Sequence, residues 1–395
     1  MHLIKSAEYL SKLVDIQVIQ GWIPRWWNRW LLGIASRIQK RNIYITIKKR
    51  TPECLNGRNR GLAIPDMFYW GCRLFKIASG RTAAVYSAQL YGKLQQKYLK
   101  DADVYHVRSG SGGNGAIEKA RERGMKVVVD HSIAHPAFMD RQLRSEYERN
   151  GEHFDLGLDN PFWAGIVEEC KRGDVVLVNS DFVKDTFVAS GFDADKIRVA
   201  YLGVRKDFFA LKKGYALKDN TLRILFTGGF GFRKGAEYIL RALCELDKKG
   251  FKYEMTVVGC SDGAKSILER YCPQHLNLVN TVPQDLLKSY LAESDVYLFP
   301  SLCEGCASSG MEAMAAGLPV IATWESGLPI EDGKDGMIIQ SKQVSAIVES
   351  LERVASDKTL RESMGKAAAD KIATNNTWEM YAENVLGIYK ELLYQ

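Results

Sequence analysis

The chain has 395 residues with 46% apolar content and a net charge of +7, more than one hydrophobic core usually supports, so two domains are expected. No run of eighteen apolar residues occurs, and no apolar leader with a small-residue cleavage site follows Met1, which argues against a membrane span and a secretory signal. Eight scattered cysteines, with Cys303-x-x-Cys306 lacking a second pair, read as free thiols of a reducing cytosol rather than a zinc site or a disulfide framework.

The chain opens with a helical stretch (Leu3, Ala7, Leu10, Leu13) and a strand from Val14 to Ile19. Residues 21 to 60 then hold ten Lys or Arg against Glu53 alone, so a net +9 is concentrated there and the remainder is slightly acidic. Within it, Trp22, Trp26, Trp27 and Trp30 stand among Arg25, Arg29, Arg37 and Arg41, with Trp27, Trp30, Leu31, Ile34 and Ile38 on one helical stripe. This composition suits a segment lying on an anionic membrane surface, and equally a helix packed on its own domain with a solvated basic face. No nucleic-acid module surrounds it, so a nucleic-acid partner is not expected.

Asp103 to Arg108 reads as a strand, Gly110-Ser-Gly112-Gly-Asn-Gly115 fits Gly-x-Gly-x-x-Gly, a helix runs through Arg123, and a strand from Lys126 ends at Asp130. That spacing is the dinucleotide fingerprint and supports an NAD-dependent oxidoreductase as a rival function. His131 and His135 follow at the strand's carboxyl end, where a ligand would be met; His106 reads as core, and Glu146 and Glu148 as solvated. Asp101-Ala-Asp103 and Asp193-Ala-Asp195 lead into a strand and a surface turn and do not read as metal sites.

In the second half, Thr221 to Thr227 reads as a strand followed by Gly228-Gly229-Phe-Gly-Phe-Arg233-Lys234-Gly235 and a helix carrying Ile239, Leu240, Leu243 and Leu246 on one side. Two cations at a helix start oppose its dipole by roughly 0.3–1 kcal/mol each unless an anion sits there. Asp295 to Pro300 and Pro319 to Ala322 read as strands around Glu304, Cys306, Ala307, Ser308, Ser309 and Glu312. Small residues let backbone amides approach an anion at the following helix start, the outline of a diphosphate site. Ser309 and Glu312 also fit a capping box that needs no ligand; Glu304 does not.

Taken together, Glu304-x7-Glu312, Arg233-Lys234-Gly235, Val257-Val-Gly259, Pro300-Ser301, Tyr201-Leu-Gly203-Val204 and Asn179-Ser180 resemble the retaining family-4 glycosyltransferases of the GT-B fold, in that family's order across residues 103 to 390. The resemblance implies two Rossmann-like α/β domains facing a cleft: residues 1–202 for the acceptor, 203–220 as linker, 221–376 for the donor, and a helix in 377–395 crossing back to the first domain. It implies transfer of a sugar from a nucleotide-diphosphate donor to a hydroxyl with retention, without a metal or other cofactor, in synthesis of bacterial surface polysaccharide or glycolipid. Arg233 and Lys234 would neutralise the diphosphate, Glu312 would hold the ribose, and Glu304 with the amides of Cys306 to Ser309 would hold sugar and phosphates. Gly228, Gly229, Gly259 and Val282 would complete the donor site, His131 would stand beside the anomeric carbon, and Gly110, Gly112 and His135 would lie on the acceptor side. The expected partners are a nucleotide sugar, a glycan or lipid-linked acceptor, and an anionic membrane surface through residues 21–41, placing the protein in the cytoplasm at the inner face of the plasma membrane. A non-catalytic nucleotide-binding subunit remains a third reading. Gly229 stands where many relatives have arginine and Cys306 where they have an aromatic. The family's usual first strand is not expected ahead of residue 14, either because the domain is shortened and another segment fills that place or because the sequence begins late.

Overall fold

The computed structural model describes residues 2–23, 51–260 and 265–394, apart from the side chains of Arg81, Lys265 and Ser266. Most of the basic tryptophan-rich stretch 21–41 therefore lies outside the described residues; Trp22, at its edge, donates its backbone N–H to Asp66 Oδ2 at 2.7 Å. No helix among the described residues is long and apolar enough to cross a membrane.

Among the described residues three parallel sheets carry the structure. A small one pairs β1 (Val18–Gln20) with β2 (Asn59–Gly61). The second runs in the order β3 (Val104–Arg108), β4 (Lys126–His131), β5 (Val175–Val178) and β6 (Ile197–Val199). The third comprises β7 (Leu222–Thr227), β8 (Tyr253–Val258), β9 (Leu276–Val279), β10 (Val296–Phe299), β11 (Val320–Thr323) and β12 (Met337–Ile339), ordered β12-β11-β10-β7-β8-β9. Central parallel strands are covered on both faces and so are apolar without alternation: Val127, Val128 and Val129, like every residue of β10, are fully buried.

The helix Trp378–Tyr394 does cross back. Its Trp378, Tyr381 and Val385 pack with Leu10, Val128, Val175 and Leu177 of the N-terminal half, and the crossing is held by a bridge between Val204 and Thr377. The helix His2–Leu10 lies beside it, with Tyr9 stacked on Trp378 at 6.2 Å between ring centroids. The expected strand Val14–Ile19 is displaced to Val18–Gln20 and pairs with β2 instead of joining the main N-terminal sheet.

The two halves meet through the carboxyl ends of their sheets. Ala134 N–H, three residues past β4, donates to Glu304 O at 3.2 Å, and Ser180 Oγ, just past β5, donates to Gly305 O at 2.5 Å. Beside this contact the helices Pro136–Arg149 and Ala236–Lys248 exchange charges. Glu146, expected to be solvated, is 5% exposed; it accepts from Tyr238 Oη at 2.9 Å and pairs with Lys342 Nζ at 3.2 Å, while Arg149 reaches Glu237 at 3.1 Å. Sequence periodicity could not reveal this, because the partners Tyr238, Glu237 and Lys342 lie far along the chain.

Candidate functional site

β7 is flanked by β8 on one side and β10 on the other, so the chain leaves it in one direction and returns on the opposite side. Ligands of open α/β sheets sit outside the carboxyl ends of the strands at such a switch point. The loops that converge there are Gly228–Lys234 after β7 and Ser301–Ala307 after β10.

Arg233 and Lys234 form a single helical turn, Phe232–Lys234, that the β10 loop clasps: Leu302 N–H and Ser301 Oγ both donate to Arg233 O, at 2.8 and 3.0 Å. Arg233 donates to Cys303 O at 2.7 Å and pairs with Glu304 Oε1 at 2.7 Å; Lys234 Nζ stands 3.6 Å from the same carboxylate oxygen and 5.1 Å from the Phe299 ring centroid. Burial alone would lower the pKa of Arg233, but the charge of Glu304 and its hydrogen bond raise it. Burial also lowers Lys234, and there the attraction of Glu304 does not fully compensate. Gly228 has φ +117°, and a Cβ on it would stand 2.9 Å from Lys234 Nζ, so the missing side chain is what lets the ammonium reach over the turn. Gly229 is exposed to open space, while Gly259 and Val282 follow β8 and β9 along the same rim, both partly buried.

The helix Ser308–Ala316 begins without a side-chain cap. The expected capping box does not form: Ser309 Oγ is taken by Tyr297 Oη at 2.8 Å, and Ala307 is the N-cap residue. The amides of Ser308 and Ser309 at the helix start have no partner among the described residues, which leaves the positive end of the helix open to an anion. Cys306 and Ala307 are buried in the wall of the loop, and burial pushes the Cys303 and Cys306 thiols up, away from thiolate chemistry.

Glu312, one turn into that helix, is partly buried with no hydrogen-bond or ion-pair partner among the described residues. Burial raises its pKa to about 7, with Arg205 pulling it down and Asp207 pushing it up by smaller amounts. Such a carboxyl keeps its proton between the ordinary carboxylate range and about pH 7. A ligand whose hydroxyls prefer the ionised form must release that proton, so its affinity should fall about tenfold per pH unit below pH 7. Calorimetric titration of a nucleoside diphosphate against wild type and Glu312→Gln checks this: the steep limb should vanish in the variant. The same slope in both proteins would place the titrating group elsewhere, for instance on the phosphate.

On the opposite wall, His131 ends β4 and is 1% exposed, with Nδ1 2.9 Å from Ser109 Oγ and its ring 5.0 Å from that of Phe187. Burial, and next the charge of Arg108, lower its pKa to about 3, so it is held as a neutral imidazole; Nε2 has no hydrogen-bond partner among the described residues. His135 has a different post. It caps the helix Pro136–Arg149 by accepting the Ala137 N–H at 3.1 Å, and its ring packs against Phe187 and Phe192, so folding alone explains its place.

The glycine loop is already filled. Gly110 and Gly112 donate their N–H groups to Glu169 Oε2 at 2.8 and 2.9 Å, and Glu169 is 6% exposed. A carboxylate of the chain itself thus stands where the rival oxidoreductase reading needs a pyrophosphate. The acid of that fingerprint, Asp130, is likewise engaged: it pairs with Arg108 at 2.8 Å and His2 at 3.1 Å, and although burial would raise its pKa, His2, His106 and Arg108 hold it well below the carboxylate range. Ser109 and Glu169 are the residues that motif reasoning missed. Ser109 at a strand end beside the glycine loop was a usable signal; Glu169, 59 residues from Gly110, offered none.

Comparison with a family model bears on the half that carries the Arg233–Lys234 turn and the Glu304 loop. Residues 207–371 match the family model described as "Glycosyl transferases group 1". The chain is 30% identical over 229 residues to the amylovoran biosynthesis glycosyltransferase AmsK of Erwinia amylovora, covering 53% of this chain and 56% of the relative. It is 32% identical over 242 residues to a D-inositol 3-phosphate glycosyltransferase of Corynebacterium diphtheriae, covering 55% of this chain and 56% of that one. The chain thus spans little more than half the length of these curated relatives. Among solved structures it superposes on a sucrose-phosphate synthase of Thermosynechococcus elongatus with a TM-score of 0.61 and 17% identity, covering 80% of this chain and 79% of that one. The architecture is α/β of the GT-B type, as expected from the sequence.

Proposed function

We propose that this protein transfers a sugar from a nucleoside-diphosphate donor to a hydroxyl of a glycan or lipid-linked acceptor, with retention of anomeric configuration and without a metal. The observation that carries the reading is the convergence of Arg233, Lys234 and Glu304 beside the uncapped start of the helix Ser308–Ala316, at the switch point between β7 and β10. A diphosphate placed there takes over Arg233 and Lys234, and its oxygens meet the free amides of Ser308 and Ser309. Displaced from Arg233, Glu304 is released to accept sugar hydroxyls, while Glu312 accepts those of the ribose.

In the reaction the bond from anomeric carbon to diphosphate oxygen breaks and its electron pair leaves with the phosphate. Fixed cations and amide dipoles stabilise that developing charge. The acceptor oxygen bonds to the anomeric carbon, and its proton passes to the departing phosphate oxygen. His131 would face the sugar from the opposite wall, held neutral and oriented by Ser109; its Nε2 is buried and has no hydrogen-bond partner among the described residues. The family match, and the polysaccharide named for AmsK, support surface-polysaccharide synthesis as the setting. The basic stretch 21–41 would hold the enzyme at an anionic membrane where a lipid-linked acceptor is presented.

A panel of nucleotide sugars with candidate acceptors, read by release of UDP or GDP and by sedimentation with anionic vesicles, tests these parts together. Turnover with one donor, undiminished by EDTA, is expected. Loss in EDTA with rescue by manganese would overturn metal independence; nucleotide binding with no turnover across the panel would favour a non-catalytic subunit.

A further inference from the structure

The helix Ala63–Leu74 turns an apolar face outward. On its inner side Pro65 and Cys72 are buried, whereas Ile64, Met67, Phe68, Leu74 and Phe75 are all exposed, and they recur at the three- and four-residue intervals of a single helix face. Exposed apolar side chains scattered singly are ordinary. A contiguous stripe of them marks a surface that meets a partner or a membrane.

The stripe runs onto the turn joining this helix to the helix Gly80–Gln95, and that turn is built rather than loose. Ile77 N–H donates to Cys72 O at 3.0 Å and Lys76 N–H to Arg73 O at 3.4 Å, the paired bonds of a Schellman motif, with Lys76 in the left-handed region at φ +54°. In that motif an apolar residue in the place of Ile77 commonly packs back on the helix end. Here Ile77 is 73% exposed and Phe75 72% exposed, so the fold holds two large apolar side chains out at the tip of a helical hairpin.

Charge selects the partner. Arg73 and Lys76 are exposed within the tip, and the only acid in residues 62–95 is Asp66, whose Oδ2 takes the Trp22 N–H at 2.7 Å. The basic stretch that starts at this contact adds Arg25, Arg29, Arg37, Lys40 and Arg41, with no acid before Glu53. A second copy of the chain would lay this basic rim on itself, and residues 24–50 folded over the stripe would bring like charges together. An anionic surface is attracted by both. Trp70 on the same helix and Tyr86 on the next are exposed as well, and such rings favour the boundary between headgroups and acyl chains.

We infer that the hairpin tip, residues 74–77, together with the outward stripe of the helix Ala63–Leu74, inserts into the headgroup and acyl boundary of an anionic phospholipid bilayer. This anchor rests on the membrane setting proposed above, yet lies outside residues 21–41. Basic residues draw the protein to the surface, and the apolar tip holds it there. The helix Gly80–Gln95 then ties the anchor to the wall of the candidate site: Gln89 O accepts from Asn114 Nδ2 at 3.0 Å, and Gln95 Nε2 donates to Ser111 O, in the glycine loop that follows Ser109, the partner of His131.

Photo-crosslinking on the full chain tests this, with Phe75 replaced by p-benzoylphenylalanine and vesicles of phosphatidylglycerol and phosphatidylcholine in equal amounts. Irradiation should join residue 75 to a lipid acyl chain. A crosslink to residues 24–50 or to a second copy would overturn the inference by revealing another cover for the stripe, and unmodified protein in the vesicle pellet would show the tip to lie outside the bilayer. Sedimentation gives a second reading. Leu74→Ser, Phe75→Ser and Ile77→Ser together should weaken vesicle binding about tenfold or more, while the thermal midpoint and nucleoside-diphosphate affinity stay as in wild type, because these side chains are exposed and outside the donor loops. Undiminished binding in that variant, lost instead when Arg25, Arg29, Arg37 and Arg41 are changed to Gln, would keep the membrane setting and sink the anchor. A wild type that stays in the supernatant would sink both. Neither readout needs turnover, so failure of the transfer reading is seen separately, in the donor panel.

Discussion

Lys234→Ala will lose about 3 kcal/mol of transition-state stabilisation, on the order of a hundredfold in kcat/KM, if the diphosphate leaves from the Arg233–Lys234 turn. The ammonium is positioned for this role at some cost: burial depresses its pKa, and the shared Glu304 carboxylate only partly offsets that. Removing a cation there leaves the fold little changed, because Glu304 keeps Arg233 at 2.7 Å. The thermal midpoint should therefore move by no more than a few degrees while turnover collapses. Steady-state kinetics beside a melting curve separates the two effects. Near-normal turnover in the variant would place the leaving phosphate elsewhere; a matched loss of stability would make Lys234 a structural residue.

Much of the candidate site on the C-terminal half was legible in the sequence, for a physical reason. A diphosphate is bound by features local in the chain: a glycine turn, two cations at a helix start and a small-residue loop before another. Each leaves a contiguous signature, and the structure brings Arg233, Lys234 and Glu304 together within one hydrogen-bonding cluster. The capping-box alternative for Ser309 and Glu312 was equally consistent with the letters. Only the position of Tyr297, whose hydroxyl takes Ser309, decides against it.

The opposite wall, on the N-terminal half, was less legible because its determinants are not local. The Gly110 loop carries the dinucleotide spacing faithfully, yet its amides are satisfied by Glu169 from a helix far along the chain. His135 looked like a cleft residue from its place after a strand, but a ring nitrogen two residues ahead of an amide can cap a helix, and does. An early strand was expected at Val14–Ile19; that it would lie at Val18–Gln20 and pair with β2 rather than with β3 needed the topology.

The second large effect is expected at a residue with no side chain. Gly305 lies in the β10 loop between Glu304 and Cys306, and its backbone is the surface on which the N-terminal half rests. A Cβ built on it would stand 2.1 Å from Ser132 O and 2.9 Å from Asn179 Nδ2, while Gly305 O accepts from Ser180 Oγ on the same wall. Ser132 O is backbone and cannot rotate away, so Gly305→Ala must push the two halves apart by about an ångström. A displacement of that size between reacting groups costs on the order of a hundredfold in rate. The donor loops, all within the C-terminal half, are not displaced relative to one another. Nucleoside diphosphate affinity in Gly305→Ala should therefore stay within about threefold of wild type, a change under 1 kcal/mol, while turnover falls about a hundredfold. Unimpaired turnover would show that the contact between Gly305 and Ser132 is not part of the reacting arrangement, and a parallel fall in nucleotide affinity would locate the damage within the donor site itself.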